Sequence, residues 1–422
     1  MRVVQKFGGS SVADAESIKR VARRVADRKD AGDEVVVVIS AMGDTTDDLL
    51  DLAYQVSSNP APRELDMLLT TGERQSAALL ALALDDIGYQ ARSYTGSQAG
   101  VITTATHGNA RIVDITPGRI IEALDEGDIV IVAGFQGVAQ ATKDITTLGR
   151  GASDTTAVAF AYAIGADYCE IYTDVDGIFT ADPRIVSGAQ RIPEIQFEEM
   201  LELAACGAKI LHLRSVEYAR VAGVKLHVRS SFSDKPGTWV LGEADMNLNK
   251  REHALISGIA HDVSEGKITV VGVPDVIGSA ASIFDLLAGN EINIDMIVQN
   301  VSALGTSRTD ISFTLPRSEI EKAMNALEEA KDKIQFEDLR LIDQVGKVSV
   351  VGVGMRTHPG VTARFFGALA DAGVNISMIS TSEIRISVVV DVDKVEDAVR
   401  AAHTAFNLDS EGQAVVYAGT GR

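Results

Sequence analysis

The sequence predicts an α/β protein in two parts: a mostly parallel sheet sandwiched by helices, followed by two ferredoxin-like βαββαβ modules. Three observations predict it. Strand-like and helix-like segments alternate over about the first 230 residues, the pattern of βαβ units. Several β-branched runs there are apolar without alternation, as in strands buried on both faces of a parallel sheet. Further along, one pattern occurs twice.

The elements follow in order. Arg2-Val3-Val4-Gln5 opens a strand at once, which leaves no place for a signal peptide and reads as cytoplasmic. Ile18, Val21 and Val25 keep helical spacing behind the cap residue Asp14, and Gly32 is a stop. Val35 to Ile39 and Asp128 to Val132 are the buried runs; Thr116-Pro117 starts the helix carrying Ile120, Ile121 and Leu124. Gly165 closes a helix ahead of the strand Tyr168 to Thr173. Ser233-Asp234-Lys235-Pro236-Gly237 and the polar stretch 242–252 then mark a linker. Beyond it, Lys267-Ile268-Thr269-Val270-Val271-Gly272-Val273 returns as Lys347-Val348-Ser349-Val350-Val351-Gly352-Val353, an offset of 80 (347 − 267). Ile292-Asn293-Ile294-Asp295-Met296-Ile297 returns as Val374-Asn375-Ile376-Ser377-Met378-Ile379, an offset of 82 (374 − 292). The predicted division is 1–245 for the first part, 246–263 for the linker, and 264–343 and 344–422 for the repeats.

Composition narrows the function. A length of 422 residues suits two or three domains, and with 46% hydrophobic but only 5% aromatic residues the cores rest on Val, Ile, Leu and Ala. The net charge of −20 (39 − 59) opposes nucleic acid and anionic membranes, and no apolar run reaches the ~18 residues of a membrane span. Cys169 and Cys206 read as buried free thiols. The seven histidines show no metal-ligand spacing. No G-x-x-x-x-G-K-[ST] occurs; Gly149-Arg150-Gly151 and Gly352-Val353-Gly354 each lack the third glycine of a dinucleotide fingerprint. Asp174-Val175-Asp176-Gly177 lacks the remaining ligands of a calcium loop.

What remains is chemistry at strand-to-helix turns, where open α/β sheets bind ligands. Lys6-Phe7-Gly8-Gly9-Ser10-Ser11 offers backbone amides and a cation to an anion. The turns Ser40 to Thr46 and Thr147 to Asp154 share that character. Lys6 to Ser11, Thr70-Thr71-Gly72-Glu73-Arg74, Thr147 to Gly151 with Ser153-Asp154, and Thr173 to Arg184 (TDVDGIFTADPR) together resemble the aspartokinases, over essentially the whole chain. The likeness is to the lysine- and threonine-sensitive type of Gram-positive bacteria.

That resemblance implies an amino-acid-kinase-like sheet followed by two ACT modules. It implies ATP-dependent phosphorylation of the β-carboxylate of L-aspartate, the first step towards lysine, threonine and methionine. A substrate carboxylate with a pKa near ~4 is already ionised, so no general base is needed. The difficulty is uniting two anions, which calls for cations and amide dipoles. By resemblance Lys6, Gly8, Gly9 and Asp154 are catalytic, and Thr46, Glu73, Arg150 and Ser153 bind aspartate. Arg150 would fork onto the α-carboxylate and Glu73 would face the ammonium. ATP with Mg²⁺ would lie on Lys6, Phe7, Gly8, Gly9, Ser40, Thr173, Asp174, Phe179, Thr180, Asp182, Pro183, Arg184 and Lys209. Effector contacts fall on Asn293, Ile294, Asp295 and Gln299 in one module. In the other they fall on Val361, Thr362, Asn375, Ile376, Ser382 and Glu383, with each Asn-Ile placed on its module's second strand. The family also implies an oligomer through the ACT modules, with an α2β2 form that pairs the chain with a shorter copy started near Met246. Where the family has a second glycine this chain has Ala152; a positive φ there would cost about 1 kcal/mol. Another amino-acid or acyl-phosphate kinase, or a non-catalytic amino-acid sensor, are the competing functions.

Overall fold

A computed structural model describes residues 1–149, 151–246, 256–300, 307–355, 358, 360–410 and 412–418. The N-terminal half opens with β1 (Arg2–Phe7), α1 (Ala15–Asp30) and β2 (Glu34–Ile39). Asp14 caps α1 by accepting the Ser17 N–H, and Gly32 turns the chain at φ +86°. Helices α2 (Thr45–Val56), α3 (Pro62–Leu69) and α4 (Thr71–Asp86) lead to β3 (Ala91–Tyr94). A small sheet contains β4 (Val101–Thr103) and β5 (Ile112–Ile115); α5 (Gly118–Asp125) and β6 (Ile129–Ala133) return to the main one. Pro117 is the cap residue of α5, one position later than the Thr116 cap the sequence suggested. The chain continues through β7 (Gln136–Ala139), β8 (Ile145–Thr147), α6 (Ala152–Ala163) and β9 (Tyr168–Thr173). Then come β10 (Glu194–Gln196), α7 (Phe197–Ala205), α8 (Leu213–Ala222), β11 (Leu226–Ser230) and β12 (Thr238–Leu241).

The main sheet has the order β10-β12-β11-β9-β1-β2-β6-β3, parallel throughout except at β11–β12. Its valine runs are buried on both faces. Val35, Val37 and Ile39 pack with Ile18, Val21, Val25, Leu80 and Leu84 of α1 and α4. Val36 and Val38 pack on the other side with Ile120, Val158 and Phe160 of α5 and α6. Such a sheet puts the carboxyl ends of β9, β1, β2 and β6 side by side, which is where its loops can hold a ligand.

The C-terminal half is a six-stranded antiparallel sheet built on two long strands, β13 (Gly258–Pro274) and β16 (Asp338–Val351). The first module adds α9 (Ser279–Gly289), β14 (Ile297–Gln299), β15 (Arg308–Pro316), α10 (Ile320–Glu329) and α11 (Lys331–Ile334). The second adds α12 (Val361–Asp371), β17 (Met378–Thr381), β18 (Arg385–Val390) and α13 (Val395–Ala405). The strand order is β14-β15-β13-β16-β18-β17.

Two expectations are corrected here. Residues 258–262, read as linker, form the start of β13 and pair with residues 347–351 of β16. They fill the outer slot of the second module, so its sixth element precedes the first module instead of following α13. The reason is burial: Ile259 and Ala260 are almost fully enclosed, Ile259 among Val348, Val350 and Phe365. Residues after α13 are thereby released to run elsewhere. Secondly, Asn293, Ile294 and Asp295 lie ahead of β14, and Asn375 and Ile376 lie ahead of β17. Pairing of β14 with β15 begins at Ile297↔Phe313; before it, Asp295 N–H donates to Thr314 O (3.1 Å) outside the regular ladder. Among the described residues no helix is long and apolar enough to cross a membrane.

Candidate active site

Four strand ends are stitched into one crevice. Ser40 N–H donates to Phe7 O (3.1 Å) and Gly134 N–H donates to Ile39 O (3.0 Å), joining the ends of β1, β2 and β6. Phe7, buried, stacks on Tyr172 of β9 at 4.6 Å between ring centroids and so fixes the β1–β9 edge. Gly43 N–H donates to Gly9 O (3.1 Å), tying the turn after β1 to the turn after β2. A Cβ on Gly9 would stand 2.9 Å from Gly43 O and 3.1 Å from Ala41 O, backbone atoms that cannot rotate away. Gly9→Ala is therefore expected to destabilise the fold by about 1–3 kcal/mol, read as a lower urea midpoint.

Lys6 projects into this crevice. Its Nζ lies 2.7 Å from Asp154 Oδ1, with the two side chains 13% and 8% exposed. Asp154 sits in the first turn of α6, where its other oxygen accepts the His212 N–H at 3.4 Å. Gly8 runs alongside: a Cβ there would be 3.3 Å from Lys6 Nζ and 3.8 Å from Tyr172 O. Ser153 is buried against Gly134, and Ala152 begins α6 without a positive φ. The extra methyl of Ala152 is packed with Ala110, Phe135 and Leu148, so the conformational penalty considered for it does not arise.

Glu73 is enclosed on the other wall, 3% exposed. Its Oε1 accepts the Ala41 N–H at 3.2 Å, while Oε2 is buried with no hydrogen-bond partner among the described residues. Burial pushes its pKa from an ordinary 4.5 up to about 7, against the pull of the amide hydrogen bonds. A half-ionised carboxylate with a free oxygen is suited to receive a cation. Thr46, half-buried, lies in the first turn of α2 across the same turn.

Arg150 lies outside the described residues, but its flanks are held. Arg214 donates to Leu148 O (3.1 Å) and Ala110 O (3.0 Å). Buried Asp66 accepts from Thr147 Oγ1 (2.6 Å) and Gly108 N–H (3.1 Å) and pairs with His107 Nδ1 (2.6 Å). These groups carried no recognisable motif; only their polarity within apolar stretches could have drawn attention.

The segment after β9 divides. Thr173 donates to Asp174 Oδ1 (3.0 Å), and Arg184 approaches Asp174 at 3.5 Å and Asp182 at 3.6 Å, so these residues and Pro183 stay at the strand end. Phe179 and Thr180 turn away. Phe179 is buried with Val348, Val350 and Phe365 of the second module. Thr180 Oγ1 pairs with His403 Nε2 of α13 (2.8 Å), and Thr180 O accepts the Ile259 N–H (2.7 Å). Their bulk is spent on the contact between halves. Lys209 is exposed in the turn between α7 and α8 rather than on a helix.

In the C-terminal half, Lys347 is 2% exposed at the centre of the sheet, with its Nζ 2.6 Å from Glu265 and 2.5 Å from Asp295. Burial works to lower its pKa, but the two carboxylates outweigh that and hold it above the usual lysine range. Gln299 ends β14, Val361 and Thr362 begin α12, and Ser382 and Glu383 form the turn between β17 and β18.

A crevice of glycine amides, a cation paired to a carboxylate and a second, unpaired carboxylate, backed by tandem βαββαβ modules, defines a phosphotransferase for small carboxylic acids with an attached sensor. Comparisons with known proteins agree. The amino acid kinase family model matches residues 1–230 and the ACT domain model matches 268–330 and 348–406. The aspartokinase of Mycolicibacterium smegmatis is 62% identical over 421 residues, covering 100% of this chain and 99% of its own. That of Corynebacterium glutamicum is 59% identical over 420 residues, with the same coverage. The crystal structure of E. coli aspartokinase III with aspartate and ADP (R-state) aligns with a TM-score of 0.81 at 26% identity, over 96% of this chain and 99% of that one. The T-state form of E. coli aspartokinase III, with lysine and aspartate, aligns at 0.71 and 27% identity, over 96% and 99%. The chain belongs to the aspartokinases: it is an aspartate kinase, an allosteric enzyme of amino-acid biosynthesis.

Proposed function

We propose that the enzyme transfers the γ-phosphoryl group of ATP to the β-carboxylate of L-aspartate, giving 4-phospho-L-aspartate and ADP. The observation that carries this reading is the Lys6–Asp154 pair in a crevice whose Ala41 turn is bonded to buried Glu73, an oxygen of which has no hydrogen-bond partner among the described residues. Lys6 with the Gly8 and Gly9 turn would hold the transferring group, where developing charge needs fixed dipoles. Glu73 would pair with the substrate ammonium, Arg150 with its α-carboxylate, and Thr46 and Ser153 would border the pocket. The β-carboxylate oxygen attacks phosphorus as the bond to ADP breaks, with no proton to remove.

The nucleotide would extend over Ser40, Thr173, Asp174 and Asp182 to Arg184, with Lys209 at its outer edge. The inward turn of Phe179 and Thr180 supports only an indirect part for them. Mg²⁺ fits as an ion brought in on the phosphates: among the described residues no cluster of three or more ligating side chains exists. Asp174, whose buried Oδ2 accepts no hydrogen bond among the described residues and lies 3.5 Å from Arg184, would take one side of it. When bound, the ion supplies charge neutralisation. Measuring ADP release with aspartate against glutamate tests the reading; equal use of glutamate would replace aspartate as the substrate.

The regulatory half would hold lysine and threonine at Asn293, Ile294, Asp295 and Gln299 and at Val361, Thr362, Asn375, Ile376, Ser382 and Glu383. Their joint action would close the first step towards lysine, threonine and methionine. Ile297 and Ile379 on the edge strands β14 and β17 are exposed, which supports pairing through these modules, including an α2β2 form with a copy started near Met246. Asp295→Ala is expected to relieve inhibition by lysine plus threonine while kcat without effectors changes less than about threefold, because Lys347 keeps Glu265 as a partner. Undiminished inhibition of the variant removes Asp295 from the effector site.

A further inference from the structure

The C-terminal segment leaves the second module and crosses back over the catalytic half. Ser410 N–H donates to Gly188 O (2.8 Å) and Ala414 N–H to Ser187 O (2.9 Å). Val416 bridges Val175, and Tyr417 N–H donates to Asp174 O (2.9 Å). The Tyr417 ring stacks on Phe232, just past β11, with 5.9 Å between centroids and 9° between planes. Its hydroxyl donates to Asp176 Oδ2 at 3.2 Å. Asp176 is 2% exposed and also accepts from Ser233 Oγ (2.5 Å) and Lys235 Nζ (2.8 Å). Residues 174–190 have no ladder of their own beyond isolated bridges, so their carbonyls need outside donors, and this strap supplies them.

We infer that Tyr417 is a positioning residue of the nucleotide site: stacked on Phe232 and bonded to Asp174 and Asp176, it fixes the turn that leaves β9 beside Gly8. This rests on reading Thr173 to Arg184 as the nucleotide segment. Asp174 is the residue whose carbonyl Tyr417 holds and whose carboxylate faces Arg184, so a shift of the strap moves groups that would meet phosphate. Thr46, Glu73 and Ser153, the described residues read as aspartate contacts, lie on α2, α4 and α6, and among the described residues no hydrogen bond joins the strap to them. Loss of the strap should therefore weaken nucleotide binding selectively, by lowering the population of the competent turn.

The test compares Tyr417→Ala and Tyr417→Phe with the parent full-length chain, by calorimetric titration with ADP and by initial rates with ATP and aspartate varied separately. In Tyr417→Ala the ADP Kd and ATP KM should rise about tenfold, as when the competent conformer falls to about a tenth. Its aspartate KM and kcat should stay within about twofold of the parent. Tyr417→Phe, which keeps the stack and the backbone bond, should recover most of the loss. Unchanged ADP affinity in Tyr417→Ala overturns the inference, as does an equal rise in both KM values. A parent chain that does not bind ADP overturns the nucleotide reading, and the inference with it; a parent that binds, beside an unaffected variant, overturns the inference alone.

Discussion

Lys6→Met is expected to lower kcat by roughly 10²–10³, the usual loss when one fixed charge contact to a transition state is removed. The fold makes this substitution costly in a second way. Lys6 and Asp154 form a nearly buried pair at 2.7 Å, and removal of the cation leaves the carboxylate, among the described residues, with the His212 N–H at 3.4 Å. Breaking a buried pair from one side costs about 3–5 kcal/mol. Stability and catalysis are separable by adding Asp154→Asn, which cancels the stranded charge. The double variant should regain much of the urea midpoint yet stay as inactive as Lys6→Met. Recovery of turnover along with stability would mean that Lys6 acts only by holding the fold.

Glu73→Gln is expected to exchange function for stability. The Glu73 pKa of about 7 against an ordinary 4.5 means that the folded state binds more protons than the unfolded state between those values. Stability from this group is complete below pH 4.5 and falls as the pH rises through 7. At 1.36 kcal/mol per pH unit, about 3 kcal/mol is at stake. Glutamine is neutral at every pH, so the variant should gain up to about that amount at pH 8 and almost nothing at pH 4. Aspartate use should change in the opposite sense. Pairing with the substrate ammonium needs the ionised form, which is roughly a tenth of the parent at pH 6 and nine-tenths at pH 8. The parent's aspartate KM should therefore fall about tenfold over that range. Glu73→Gln should lose this dependence and raise the KM by about 10–150-fold, the worth of a charged hydrogen bond of about 1.5–3 kcal/mol. A parent whose aspartate KM does not vary between pH 6 and 8 separates Glu73 from the ammonium.

The parts of the fold legible in the sequence are those set by local pattern. Val35 to Ile39 and Asp128 to Val132 read as central strands, because a parallel sheet covered on both faces encloses such runs. The recurrence of Lys267 at Lys347 and of Asn293 at Asn375 showed two modules of one kind. Neither pattern could show the exchange of strands between modules, because 258–262 and 347–351 meet through packing of residues about ninety apart. The site was legible where glycine and charge coincide at a strand end, at Lys6, Gly8, Gly9 and Asp154. Phe179 and Thr180 share the segment of Asp174, yet the structure packs them against the second module, a long-range contact that the local pattern does not carry. It was silent at Tyr417, whose neighbourhood carries no motif and whose partners are Asp174, Asp176 and Phe232.

Trapping the product tests the assignment most directly. An acyl phosphate on the β-carboxylate is attacked by hydroxylamine to give a hydroxamate, whereas ATP hydrolysis leaves nothing to trap. With ATP, Mg²⁺ and hydroxylamine present, aspartyl hydroxamate should accumulate in step with ADP, require aspartate, fail with glutamate, and disappear in Lys6→Met. ADP release without hydroxamate, or hydroxamate formed equally from glutamate, would contradict phosphoryl transfer to the aspartate β-carboxylate.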